Sequence, residues 1–205
     1  MIVAGIDPSL TNTGIAVLHN GQPMLLRSIG HGTLSVRSYA HRSDRIVAEC
    51  RAVMAVLADE CDERNTLRAA RSRIDLAVIE GPAYGACNAS THDGSGLWWG
   101  LYSTLRARRI PIVVVAPTTR AKWATGKGNA DKRAILTTVR SWWPNTHIAN
   151  HDQADALVLA AIGAFHHGDP MPFAIRPQHH NRLKAAQWPS VSCVKPEPPQ
   201  VGTPR

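Results

Sequence analysis

Cysteine is scarce in this 205-residue chain, and the four present, Cys50, Cys61, Cys87 and Cys193, form no close pair and no zinc-type spacing with histidine. That argues against a disulfide-stapled module or a zinc ribbon and fits reduced thiols in a cytosolic protein. No apolar run approaches the ~18 residues needed to span a bilayer, and Met1 leads into Ile2-Val3-Ala4 without a basic leader, so neither a membrane span nor secretion is expected. Acidic residues are in deficit as well. Fifteen Asp and Glu stand against 23 Lys and Arg, a net charge of +8, which suits a polyanionic partner such as nucleic acid without demanding one.

What is present is enough for one good core: 44% of residues are hydrophobic, and the length suits one domain. Ile2 to Asp7, Gly14 to His19 and Met24 to Ile29 are short apolar or alternating runs, the last two joined by Asn20-Gly21, a strong hairpin signal. An antiparallel three-strand meander is therefore expected first. From Ser43, a candidate N-cap, the period changes, and Ile46, Cys50, Val53, Met54 and Leu57 fall on one helical stripe. Asp75 to Glu80 and Pro111 to Val115 read as buried strands, with a helix through Leu97 to Leu105 between them. This alternation implies parallel strands added beside the meander, giving an α/β fold with a mixed five-stranded sheet flanked by helices. Helices follow over Lys132 to Trp142 and Asp152 to His166, with Gly126 to Asn129 as a loop. From Gly168 the chain turns rich in proline, with Pro170, Pro172, Pro177 and Pro189 the first of eight, and a weakly ordered basic tail is expected over 168–205 behind a domain spanning 1–167.

The chemistry rests on four carboxylates: Asp7 in Gly5-Ile6-Asp7-Pro8-Ser9, Glu80 closing Val78-Ile79-Glu80, and Asp152 with Asp155 in Asp152-Gln153-Ala154-Asp155. Each lies where a strand ends or a helix begins. Pro8 favours an extended Asp7 and a strand that stops there; a turn-capping role for Asp7 is the plain alternative. An ionised Glu at the end of a buried strand is costly without a cation or an Arg partner. Asn150 and Gln153 have capping-box chemistry, which places Asp152 and Asp155 in the first turns of a helix and on one face, where the helix dipole favours their charge; simple helix stabilisation would explain them too. Together the four suit two divalent cations and phosphodiester hydrolysis. Lys122, Lys127, Lys132 and Arg133 cluster around Gly126-Lys127-Gly128 and could meet phosphates, although a solvated loop is an equal reading. Tyr84, in the loop after Glu80, is a candidate to stack on a base, and His151 to assist the acidic site. Trp98-Trp99 and Trp142-Trp143 read primarily as packing residues.

These motifs, in this order, resemble the RuvC family of Holliday junction resolvases, within the ribonuclease H-like superfamily. Gly5-Ile6-Asp7-Pro8-Ser9-Leu10 with Thr13-Gly14 is similar to the family's first-strand motif, Val78-Ile79-Glu80 to its second, Gly126-Lys127-Gly128-Asn129-Ala130-Asp131-Lys132 to its basic segment, and Asp152-Gln153-Ala154-Asp155-Ala156-Leu157 to its terminal-helix motif. The resemblance runs from about Ile2 to His167. It implies a ribonuclease H-like fold and a homodimer that resolves four-way and other branched DNA by paired symmetric nicks. It implies two Mg²⁺ per site, with Mn²⁺ able to substitute, held by Asp7, Glu80, Asp152 and Asp155. Lys132 and Lys122 would contact DNA near the cut, in the bacterial cytoplasm or a virus-infected cell; a branch-migration partner is left open. Three features differ from many relatives: Ser9 replaces a glycine, Tyr84 comes one position later than the usual aromatic residue, and the span from Lys122 to Gly126 is one residue short. The competing readings are a ribonuclease H acting on RNA–DNA hybrids, for which Glu49 could serve as a ligand, and a non-catalytic module that binds branched DNA.

Overall fold

The computed structural model describes residues 1–30, 38–62, 74–82, 89–181, 183 and 186–189. Five strands form one sheet in the order β3-β2-β1-β4-β5: β1 (Ile2–Asp7), β2 (Thr13–His19), β3 (Gln22–Ile29), β4 (Leu76–Glu80) and β5 (Ile112–Val115). The first three pair antiparallel, and β4 and β5 add in parallel beside β1. This is the expected mixed sheet of meander plus two parallel strands. At the hairpin, Asn20 and Gly21 both adopt positive φ, 49° and 75°, as a tight turn matched to strand twist requires.

Period-two alternation sorts the strand side chains onto two cores. Ala4, Ile6, Ile15, Val17, Ala77 and Ile79 face α1 (Tyr39–Asp62) and α2 (Ala89–Ala107); Val3, Ala16, Leu18, Leu76, Val78 and Val113 face α5 (His151–His166), with α3 (Pro117–Thr125) and α4 (Lys132–Trp142) outside it. Every α5 residue from Ala154 to Ala164 is buried, which fits a helix apolar all round, enclosed between the sheet and other elements.

Two expectations are corrected. The first helix starts earlier than Ser43, because the Ser38 hydroxyl accepts the His41 N–H at 3.4 Å and the Ser38 carbonyl accepts the Arg42 N–H at 3.1 Å. Nor does packing stop at His167. Phe173 stacks on Trp142 with ring centroids 4.1 Å apart, and Trp188 stacks on His166 at 3.6 Å. The Trp123 indole donates to the His179 carbonyl of α6 (Pro177–Asn181) at 3.1 Å, while Leu183 and the His179 ring are buried. The prolines conceal this because the segment packs through single aromatic and apolar side chains, without the periodicity of a regular element.

We therefore propose that the folded unit extends at least to Pro189. Truncation after His167 should destabilise the protein by roughly 1.5–3 kcal/mol for the loss of buried Leu183 alone, with the partly buried Phe173 and Trp188 adding to it. Truncation after Pro189 should retain a higher urea midpoint than truncation after His167. Equal midpoints for both truncations would return the boundary to His167.

Candidate active site

Parallel strands present their C-terminal ends together, and Ile6 pairs with Ile79, so Asp7 and Glu80 emerge side by side at one end of the sheet. The start of α5 crosses the same end because two glycines let it in. A Cβ on Gly14 would lie 2.1 Å from the Asp152 carbonyl oxygen, and one on Gly5 would lie 2.0 Å from that of Ala156. Any side chain at either position would push the helix off the sheet. Asn150 caps α5 by accepting the Gln153 N–H at 2.9 Å, and Gln153 returns a bond by accepting the Ala149 N–H at 2.9 Å. The Asn150 amide also donates to Ser28 Oγ of β3 at 3.0 Å, which ties the helix start to the meander. Asp152 and Asp155 are thus delivered, buried, to the sheet end that carries Asp7 and Glu80.

One cation stands among them. Arg120, on α3 and only 8% exposed, donates through Nε to Glu80 and through Nη1 to Asp155, with Nη2 3.5 Å from Glu80 Oε1. An Arg partner for Glu80 is thus present, although nothing in Thr118-Thr119-Arg120-Ala121-Lys122 distinguishes Arg120 from Lys122 as the buried one. Trp98 holds the same strand end through a 2.7 Å bond from its indole to the Glu80 carbonyl, and it is buried whereas Trp99 is 60% exposed. Asn12 donates to Asp152 Oδ2, and His151 Nε2 lies 3.2 Å from Asp152 Oδ1. Trp142 and Trp143 are packing residues, buried together in the core on α5's side of the sheet.

The carboxylates carry more negative charge than the site offsets. Burial, reinforced by the charges of Glu80, Asp155 and Asp152, pushes the Asp7 carboxyl well above the usual range despite Arg120. Burial raises Glu80 even against the charge and hydrogen bonds of Arg120, and it raises Asp155 against Arg120, Lys132 and His151. At Asp155 desolvation therefore prevails over the helix dipole. Burial pulls Arg120 down, but Glu80 and Asp155 outweigh it and the guanidinium stays charged. The donor set, all hard oxygen on rigid elements, fits a divalent cation in its chemistry. As arranged, however, no three His, Cys, Asp or Glu side chains among the described residues are grouped to hold one, and Arg120 lies on two of the four.

Lys132, exposed at the start of α4, acts electrostatically on both Glu80 and Asp155. Its helix is capped by Asp131, which accepts the Ala134 N–H at 2.7 Å. Lys127 is exposed in the turn that follows Gly126, whose φ of 83° ends α3. Lys122 is half-buried on α3 with its Cβ beside Gly128, and Arg133 is exposed next to Lys132. Glu49 is buried in α1, and the acidic charges acting on Asp7 are those of Glu80, Asp155 and Asp152. Tyr84 lies outside the described residues.

No protein-family model matches the chain. Over 162 residues it is 31% identical to the crossover junction endodeoxyribonuclease RuvC of Streptomyces griseus, covering 78% of this chain and 73% of that protein. It is 30% identical to the Rickettsia typhi protein of the same name, covering 78% and 94%. The chain belongs to the RuvC family. Its fold matches that of Thermus thermophilus RuvC in complex with Holliday junction substrate, with a TM-score of 0.59 at 18% identity over 84% of this chain and 99% of that one. Among the described residues no helix is long and apolar enough to cross a membrane.

The raised carboxyls have a consequence for pH. A carboxyl whose folded value lies above its unfolded value, ~4, binds more protons when folded, so stability falls as pH rises from that value through the raised one. The contribution of Asp7, Glu80 and Asp155 to the stability of metal-free protein should therefore be less favourable at neutral pH than near pH 5, while His166, His167 and His179, held below the usual imidazole range by burial, contribute in the opposite sense. Asp7→Asn should raise the metal-free protein's melting temperature at pH 7 by a few degrees, about 1 kcal/mol corresponding to 2–4 °C in a chain of this size. Thermal melts in chelator across pH check this; an Asp7→Asn protein that melts lower at pH 7 contradicts it.

Proposed function

We propose that this protein is a structure-selective DNA endonuclease that resolves four-way junctions, and other branched DNA, by metal-dependent phosphodiester hydrolysis. The observation that carries this reading is the convergence of Asp7, Glu80 and Asp155, with Asp152 acting on Asp7, at one end of the sheet in a chain of the RuvC family. When bound, Mg²⁺, two ions per site and replaceable by Mn²⁺, lowers the pKa of the attacking water and offsets charge on the leaving 3′ oxygen. The chain's own residues do the rest. Asp7 and Glu80, on strand ends, and Asp152 and Asp155, on a helix pinned by Gly5, Gly14 and Asn150, hold the ligand oxygens without flexing. Lys132 is close enough to Glu80 and Asp155 for its charge to act on both, so a phosphate brought to the carboxylates would lie near its ammonium. Lys127, Lys122 and Arg133 extend that basic surface, and Tyr84 remains a candidate for base stacking.

Paired incisions on opposite strands require two sites, and the chain carries one set of four carboxylates. A symmetric homodimer supplies the second. Support comes from Trp99, 60% exposed on α2 and set edge-on to both Trp98 and Tyr102 at 4.9 and 5.9 Å, an aromatic surface of the kind that interfaces bury.

Asp7→Asn, Glu80→Gln, Asp152→Asn and Asp155→Asn should each lower nicking of a synthetic four-way junction in Mg²⁺ by at least about a hundredfold, the upper end of what second-sphere partners alone are worth at metal sites. Junction binding should survive. Near wild-type cleavage by any one variant removes that residue from the ligand set, and near wild-type cleavage by all four defeats the reading.

Lys132→Ala should weaken junction binding irrespective of sequence and reduce the slope of log affinity against log salt by roughly one unit. Lys127→Ala and Lys122→Ala should do the same to a smaller extent, since Lys132 and neither of these is among the leading charges acting on Glu80 and Asp155. An unchanged slope in all three proteins would put the DNA path elsewhere.

A further inference from the structure

The unexplained member of the site is Arg120. A buried guanidinium touching Glu80 and Asp155 could be an ordinary structural ion pair, but its surroundings are unusual for one. Its fork joins two carboxylates from different elements, Glu80 at the end of β4 and Asp155 near the start of α5. It leaves α3 one turn after Pro117, which lines a cleft of about 290 Å³ together with Asp7, Glu80 and Trp98. That cleft is open space beside Glu80, one of the two partners of Arg120. A carboxylate oxygen that accepts a guanidinium hydrogen bond cannot at the same time give that lone pair to a metal.

From this geometry we propose that Arg120 is an internal counter-ion that takes the place of divalent metal on Glu80 and Asp155 and must withdraw when metal binds. The inference rests on the reading of the four carboxylates as metal ligands. It deepens that reading by making metal capture an exchange of one cation for another within the same site. The guanidinium keeps its charge at any accessible pH and has a long, flexible stem, so it can leave without being neutralised. Arg120 thereby holds the acidic cluster together before metal arrives, and it sets the metal concentration at which the site loads. It is a positioning residue and makes no contact with the reacting atoms.

The test is calorimetric titration of Mn²⁺ into the wild-type full-length protein and Arg120→Gln, paired with melts in chelator. Arg120→Gln should melt lower than wild type without metal, because Glu80 and Asp155 lose their partner. It should bind Mn²⁺ roughly tenfold or more tightly, the scale on which one charge a few ångström away alters a partly buried site. Weaker or equal Mn²⁺ binding by the variant, with wild type binding normally, overturns the proposal and makes Arg120 a structural pair. Absence of Mn²⁺ binding by both proteins overturns the ligand reading itself and this inference with it.

A second measurement needs no folded variant at this position. In wild-type protein the Arg120 Nε–H, held by Glu80, should give a protected side-chain signal in ¹⁵N-correlated spectra, and Mg²⁺ should shift it or abolish its protection. A signal unmoved at saturating Mg²⁺ contradicts the exchange.

Discussion

Like charges held together out of water are the constraint on which this structure turns. Asp7, Glu80, Asp152 and Asp155 come from three separate elements, and Asp152 and Asp155 are buried outright. Coulomb repulsion in a partly desolvated site would drive them apart unless the scaffold forbade it. The scaffold does forbid it. Asp7 and Glu80 are fixed by the parallel register of β1 and β4, and the helix carrying the other two is pressed onto the sheet at Gly5 and Gly14, where a single methyl group would not fit. Stability elsewhere, in the two cores on either face of the sheet, is what keeps this unfavourable cluster in place.

Such a cluster is a reservoir of cation affinity. Partial protonation, a guanidinium and a metal ion are three ways of discharging it; the structure displays the second, Arg120 forked between Glu80 and Asp155, and burial, which raises the carboxyls, favours the first. The proposed function needs the third: a site that exchanged its arginine for a divalent ion would bring a Lewis acid to a phosphodiester, and the exposed basic residues at the start of α4 would attract the polyanion.

Much of this was legible in the chain, because the signals were local. Asn20-Gly21 demanded its turn, the apolar runs ended at Asp7 and Glu80, and Asn150 with Gln153 marked the start of α5; each lies in the structure where the sequence pattern put it. The order of motifs along the chain pointed to the family that the relatives establish. What escaped was mostly non-local. One miss was local: Ser38 accepts the His41 N–H just ahead of α1, a cap that the apolar stripe beginning at Ile46 does not reveal. The segment after Gly168 looked like a tail, yet it covers Trp123 and Trp142 with Phe173 and His179, and its Leu183 is buried. Arg120 was one basic residue among several until the fold turned it inward, and Glu80, which called for an Arg or a cation, could not say which arginine.

The proposed exchange makes one set of oxygens serve both Arg120 and metal. Anomalous diffraction at the manganese edge from crystals grown in Mn²⁺ would show it. Exchange predicts manganese peaks bounded by Asp7, Glu80, Asp152 and Asp155, with Arg120 withdrawn from Glu80 and Asp155. Manganese absent from this end of the sheet, or bound there with the Arg120 fork intact, would contradict it.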